Sequence, residues 1–231
     1  MSIRNISRDR YNPTVVKRAT KSSQEAHLEG VPEEAVIISS VLEWRLVSEA
    51  ELALLESPKG TLVSQRTPEW VINRRSISVG MYQVKFAASI TIVGQMSQTT
   101  LTAFDYGFIR VEKGPVRAII DGGSSVHWGS VDIVVADGSL SYDADLGPGN
   151  RSGLVFSWFC RELVEIVPLS DTCFGAFLSD GSKTNVSIDP SRLMTGKIYI
   201  LGLNVSKDDR SDLAEMKFEV VDGTIPQVTL R

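Results

Sequence analysis

The sequence predicts an all-β chain built as two tandem β-sandwich domains. Three observations carry that reading. Apolar residues alternate with a period of two along most of the chain, a set of landmark residues recurs a little over a hundred residues later, and helical spacing is confined to one short segment. At 231 residues the chain has room for one large or two modest domains, each able to bury a core.

The alternation is read strand by strand. Tyr82, Val84, Phe86 and Ala88 alternate with Gln83, Lys85 and Ala87, and Met216, Phe218 and Val220 alternate with Lys217 and Glu219. Val131, Ile133 and Val135 share one phase. Each set reads as the inward face of a half-buried strand in an antiparallel sheet. The helical exception is Ser48–Leu55, SEAELALL, whose good helix formers suit one or two turns.

The repeat gives the domain plan. Trp44 in VLEWRLV is matched by Trp158 in VFSWFC, Tyr82 after Gly80 by Tyr199 after Gly196, and Pro115 by Pro226, in the same order and at nearly the same offset. A Trp on a central strand fills the space between two sheets, and a Tyr opening a core strand can turn its hydroxyl back onto the preceding loop. These are devices of immunoglobulin-like and fibronectin-III-like sandwiches. The expected domains are residues 25–113 and 114–224, with 1–24 a basic, solvated lead-in and 225–231 the first strand of a following domain.

Charge and targeting signals bound the function. The net charge of −4 argues against wholesale nucleic-acid binding. The imbalance is local: residues 1–24 hold six basic side chains against Asp9 alone, leaving −9 for the remainder. A basic, Ser-containing start suits a transit peptide, but Pro13, Asp9 and the lack of an apolar helical stripe favour a frayed lead-in. No apolar segment near Met1 reads as a signal peptide, and no run approaches the ~18 apolar residues of a membrane helix. Yet four of six asparagines sit in N-x-[ST] sequons: Asn5, Asn150, Asn185 and Asn204. That excess points to an extracellular chain, in which Cys160 and Cys173 form one bridge. The expectation is a fragment of a larger extracellular protein, with Met1 an added start.

No convergent catalytic set emerges. His27 and His127 are about a hundred residues apart, one per expected domain, and no G-x-S-x-G elbow holds a nucleophile. His127 beside Trp128 reads as a loop-exposed pair. The cysteines lack the paired spacing of a zinc site and suit a local disulfide hairpin. GPGNRSG lacks the Lys-Ser/Thr ending of a phosphate loop and leads into a strand, so the oriented amides of a helix N-terminus are missing. Asp143 and Asp145 have the i, i+2 spacing of oxygen-ligand loops and are candidate metal ligands, although the run does not complete an EF-hand. The alternative is that Asp137 and Asp143 accept backbone N–H groups in Asx-turns. An accessory sandwich binding carbohydrate through Trp70 or Trp128, or binding calcium, stands as the competing class. No cofactor is expected.

VDIVVADGSLSYDADL followed by LVFSWFC resembles the strand–turn–strand signature of polycystic-kidney-disease-type immunoglobulin-like domains. PVRAIIDGGSSVHW before it and IDPSRLMTGKIYILGLNVSKD after it resemble the receptor-for-egg-jelly module of the polycystin-1 family, as does PEWVINRRSISVGMYQVKFAASI in the first domain. The resemblance covers roughly residues 36–231. It implies a non-catalytic extracellular segment of β-sandwich repeats in a large multi-pass membrane protein. The family serves in cell-surface sensing, adhesion-like contacts, sperm–egg recognition and channel assembly. Its implied partners are the rest of the parent protein, a polycystin-2-like channel subunit or an extracellular ligand, and no nucleic acid. Trp158-Phe159-Cys160 matches the family's W-x-C, with Cys173 as the partner cysteine. Asp137–Leu146 matches the turn motif, with Ala144 where the family usually has Pro.

Overall fold

Trp44 and Trp158, the first pair of recurring landmarks, each lie buried in a separate core of a computed structural model. The structure describes residues 2–29, 36–54, 60–93, 97–163, 173 and 175–225. It divides into two compact units, Met1–Gly114 and Pro115–Arg231.

In unit 1 the strands are β1 (Ser2–Arg4), β2 (Thr14–Lys17), β3 (Ser22–His27), β4 (Val36–Ser48), β5 (Thr61–Gln65), β6 (Glu69–Ile72), β7 (Gly80–Val93) and β8 (Gln98–Glu112). They form a five-stranded sheet, β2-β8-β7-β4-β5, and a three-stranded sheet, β1-β3-β6. Strand β4 turns its alternate residues Leu42, Trp44 and Leu46 inward, opposite Ala88, Phe86 and Val84 of β7. Trp44 packs on Phe86 and on Trp70 of the facing sheet, with ring centroids 4.8 and 6.0 Å away. The short helix α1 (Glu49–Leu54) falls inside the segment with helical spacing. Ser48 caps it: its hydroxyl accepts the Glu51 N–H, and the Glu51 carboxylate accepts the Ser48 N–H at 2.9 Å, a reciprocal capping box.

The described part of residues 1–24, expected as a solvated lead-in, instead supplies β1, β2 and the first half of β3 to unit 1. Ile3, Ile6 and Val16 are buried in its core, and β2 runs parallel to the end of β8. The buried Asp105 carboxylate fixes this segment by accepting the Ile3 N–H at 2.8 Å and Arg8 Nη2 at 2.9 Å. The cations of this segment lie outside that core, while the few apolar residues between them do the packing.

In unit 2 the strands are β9 (Val116–Arg117), β10 (Ser125–Gly129), β11 (Val134–Asp137), β12 (Tyr142–Asp143), β13 (Val155–Glu162), β14 (Asn185–Ile188), β15 (Ile198–Lys207) and β16 (Arg210–Val221). The main sheet has the order β10-β16-β15-β13, and β11-β14 and β9-β12 pair separately. The plan of unit 1 recurs: the Trp strand (β4, β13) pairs with the strand opened by Tyr (β7, β15). That strand forms a hairpin with the last strand (β8, β16), which takes an early strand alongside in parallel (β2, β10). This two-layer, largely antiparallel plan is that of tandem immunoglobulin-like sandwiches.

Two local readings change. Trp158 was expected on a central strand, but β13 is the outer strand of its sheet among the described residues. Val131, Ile133 and Val135 face solvent, while Val134 and Ala136 face the core. Strict alternation fixes the period and leaves open which face is buried. Of 225–231, only Ile225 lies within the described residues, and Pro226 lies outside them.

Candidate functional site

The run Asp137–Asp145, DGSLSYDAD, is where metal chemistry was a possible reading, and its aspartate and serine side chains have structural tasks. Asp137 ends β11 and accepts the Ser139 N–H at 2.7 Å and the Ser139 hydroxyl at 3.0 Å, an Asx-turn. Gly138 follows at a position where a side chain does not fit: a Cβ there would meet Leu203, the Thr184 carbonyl at 2.9 Å and the Trp158 ring at 3.1 Å. Ser141 is buried, and its hydroxyl accepts the Ile119 N–H at 3.0 Å while donating to the Ile119 carbonyl. The turn therefore clamps the strand before it to the Trp158 side of the core.

Asp143 and Asp145 do not present open oxygen ligands. The Asp143 side chain is 1% exposed, and both of its oxygens are taken by cations of the protein itself. Arg210 spans it in a fork, Nη1 to Oδ1 at 2.9 Å and Nη2 to Oδ2 at 3.1 Å, and Lys207 Nζ reaches Oδ2 at 3.1 Å. Asp145 donates its N–H to Asp143 Oδ1 at 3.0 Å and meets Arg210 Nη1 at 3.4 Å through its carboxylate. Burial opposes ionisation of Asp143, but hydrogen bonds from Arg210, the Asp145 N–H and Lys207 outweigh it and hold the carboxyl at about 2. A guanidinium and an ammonium thus stand where a calcium ion was considered. Among the described residues no group of three or more His, Cys, Asp or Glu is placed to hold a metal. Arg210 and Lys207 were missed from sequence. They lie more than sixty residues on, in an unremarkable acidic turn (KDDRSD), and nothing local couples them to Asp143.

Trp158 sits on β13 with its indole N–H donated to the Lys183 carbonyl at 2.9 Å. Two residues on, Cys160 is bonded to Cys173, with Cα atoms 4.8 Å apart and both residues fully buried. Tyr199 opens β15, and its hydroxyl accepts the Met194 N–H at 3.0 Å. The matching hydroxyl of Tyr82 donates to the Ser78 carbonyl at 3.1 Å.

The aromatic platforms considered for sugar binding are not on the surface. Trp70 is buried on β6 against Trp44. Trp128 is buried on β10 rather than in a loop, stacked on Phe218 at 4.0 Å. His127 also belongs to β10, where it faces Glu219 across the parallel pair at 3.3 Å, and His27 lies on β3. His27 Nε2 lies 3.6 Å from the Glu29 carboxylate.

The sequon asparagines occupy distinct settings. Asn5, with a φ of 62°, and Asn150 are exposed in loops, and Asn150 Oδ1 accepts the Ser152 N–H at 3.0 Å. Asn185 is exposed at the start of β14, ahead of inward Val186 and Ile188, and its amide nitrogen donates to Asp137 Oδ1 at 2.8 Å and to the Thr184 carbonyl at 3.0 Å. Asn204 points outward from β15, between buried Leu203 and Val205.

No helix among the described residues is long and apolar enough to cross a membrane. Among curated proteins, human Polycystin-1 is 27% identical over 220 residues, covering 94% of this chain and 5% of its own length. Solved structures with detectable likeness include immunoglobulin domains 1–4 of Sidekick-1 (13% identical, 90% of this chain, 46% of that one, TM-score 0.33). Extracellular domains 3–5 of Drosophila OTK are a second (9% identical, 90% of this chain, 62% of that one, TM-score 0.32). The family model described as the REJ domain matches residues 41–231, most of the sequence, and the chain belongs to that family.

Proposed function

We propose that the chain is a non-catalytic extracellular module of a polycystin-1-like cell-surface protein, serving its sensing, adhesion or channel-associated signalling as a structural and interaction element. One observation carries this: the residues with chemical potential are consumed by architecture. Asp143 is neutralised by Arg210 and Lys207, the four Trp side chains are in the cores, and the cysteines are joined. On this reading a chain that spans only 5% of human Polycystin-1 acts through the rest of a larger parent protein. Contact with a polycystin-2-like channel subunit or an extracellular ligand belongs to the same reading, and so does glycosylation at Asn150, Asn185, Asn204 and Asn5.

The test is thermal melting of the secreted chain with millimolar calcium and, separately, with a glycan panel. The expected result is an unchanged Tm in every case. A saturable rise with calcium or with one glycan would replace this reading with a ligand-binding accessory sandwich.

A further inference from the structure

The outer face of the main sheet in unit 2 carries an apolar strip around one sequon. Val155 on β13 is 60% exposed and Leu213 on β16 is 54% exposed. Phe159, half-buried, lies flat over Gly202, whose missing side chain leaves the space that the ring fills. Ser157, Phe159, Leu213 and Asn204 line a shallow concavity of about 530 Å³ on this face. Asn204 is directly opposite Ser157 on one side and Leu213 on the other, with Phe159 its diagonal neighbour. Diagonal neighbours on one sheet face are within reach of aromatic side chains. In contrast to Asn185 and Asn150, the Asn204 carboxamide makes no hydrogen bond among the described residues.

We infer that Asn204, in the sequon Asn204-Val205-Ser206, carries an N-linked glycan whose first N-acetylglucosamine packs its apolar face against Phe159 and Leu213. The occupant of this concavity is thereby specified by the covalent anchor at its centre. Any protein docking there would have to displace a sugar chain growing from Asn204. In the modification, the Asn204 amide nitrogen loses one proton and bonds to the anomeric carbon of a lipid-pyrophosphate-linked oligosaccharide, and the lipid pyrophosphate leaves with the bonding electron pair. Opposite Asn204, the small Ser157 leaves room for a pyranose ring, while Phe159 offers the aromatic face and Leu213 the aliphatic wall. The sugar thus stabilises the sheet by covering apolar surface that water otherwise meets. This inference rests on the extracellular reading above, because the donor is met only in the secretory pathway.

The test uses the full chain secreted from a mammalian host, with glycopeptide mass spectrometry of the unaltered sequence. Melts are then run on a variant keeping only Asn204 (Asn5→Gln, Asn150→Gln, Asn185→Gln). Three forms are compared: intact glycan, glycan trimmed to one N-acetylglucosamine, and glycan removed with conversion of Asn204 to Asp. Trimming is expected to leave Tm unchanged, and complete removal to lower it by about 4 °C. Adding Phe159→Ala should abolish the difference between the trimmed and stripped forms, whatever that substitution does to Tm itself. A bare Asn204 beside an occupied Asn150 overturns the inference and leaves the extracellular reading intact. An occupied Asn204 whose stripping does not change Tm overturns the packing role. No glycan at any sequon overturns both readings.

Discussion

Unit 1 and unit 2 run the same strand plan through the sheet that carries the Trp, yet they are fastened by different chemistry. In unit 1 the buried Trp44 indole nitrogen has no hydrogen-bond partner among the described residues, and the ring is held by Phe86 and Trp70. Trp158 in unit 2 is tied to the Lys183 carbonyl, with a disulfide two residues away on the same strand. Among the described residues each unit also buries one carboxylate that tethers a distant segment. Asp105 holds the start of unit 1 through the Ile3 N–H and Arg8, whose side chain is 65% exposed. Asp143 is closed over by two largely buried cations from the β15–β16 turn. In unit 1 a five-stranded and a three-stranded sheet enclose the core. Where strands are short and paired in twos, as with β11-β14 and β9-β12, directional bonds and a covalent link take over.

The sharpest way to break this contrast is to delete the two carboxylates. Asp143→Ala removes the carboxylate that both Arg210 and Lys207 grip, leaving Arg210 the longer contacts to Asp145 and Asp208 and Lys207 the Ser152 carbonyl in a site with little water, and should cost unit 2 about 3 kcal/mol. Asp105→Ala frees an exposed Arg8 to be hydrated and leaves only the Ile3 N–H unpaired, so unit 1 should lose about 1 kcal/mol. Peptide-resolved hydrogen exchange in denaturant reads the two units separately. Equal losses would mean that the cation cage adds nothing. Acid titration checks the same site. The folded Asp143 carboxyl lies at about 2, below its ordinary value of 3.8. Its contribution of roughly 2 kcal/mol is therefore fully present above about pH 4 and disappears as pH falls through 2. Stability of unit 2 should decline over that window, and Asp143→Asn should flatten the decline.

Next in size is the disulfide. The bridge closes a loop of sequence separation 13, for which the chain-entropy model gives about 3 kcal/mol, with engineered cases often delivering less. Replacing both cysteines, Cys160→Ala with Cys173→Ala, should lower the unfolding midpoint of unit 2 and leave that of unit 1 unchanged. A loss in unit 1 as well would show that the two units unfold as one, ending the comparison on which these predictions rest.

How much of this was legible in sequence follows from the range of the interactions. Period-two runs such as Tyr82–Ala88 and Met216–Val220 gave strands with the correct inward face, because each has polar residues in the opposite phase. Around Val131–Val135, Asp132 is the only polar residue in the alternate phase and Val134 shares that phase, so the pattern gave no basis for choosing a face. The capped helix at Ser48 was local and readable. The strands within residues 2–27 were not, since β2 and β3 pair with β8 and β6, far along the chain, and cations outnumber the apolar residues that pack. At the candidate site, the Asx-turns at Asp137 and Asp143 span two residues and were among the readings available. The Arg210–Asp143 fork spans 67 residues, and no spacing rule reaches that far.

The smallest expected effect concerns the two recurring tyrosines. Tyr199 is almost fully buried, stacked on Phe218 at 5.4 Å, and its hydroxyl satisfies the Met194 N–H. Tyr199→Phe keeps the ring and removes the acceptor, leaving a partly buried amide unpaired, at a cost of about 1 kcal/mol. The Tyr82 hydroxyl meets the Ser78 carbonyl at an exposed position, where water replaces it, so Tyr82→Phe should cost no more than about 0.3 kcal/mol. Urea midpoints at constant m-value resolve the two. If Tyr82→Phe proved as costly as Tyr199→Phe, the hydroxyl bond would be a shared requirement of the repeated plan. The expected inequality instead makes it a fastening that unit 2 needs and unit 1, where the hydroxyl already meets water, does not.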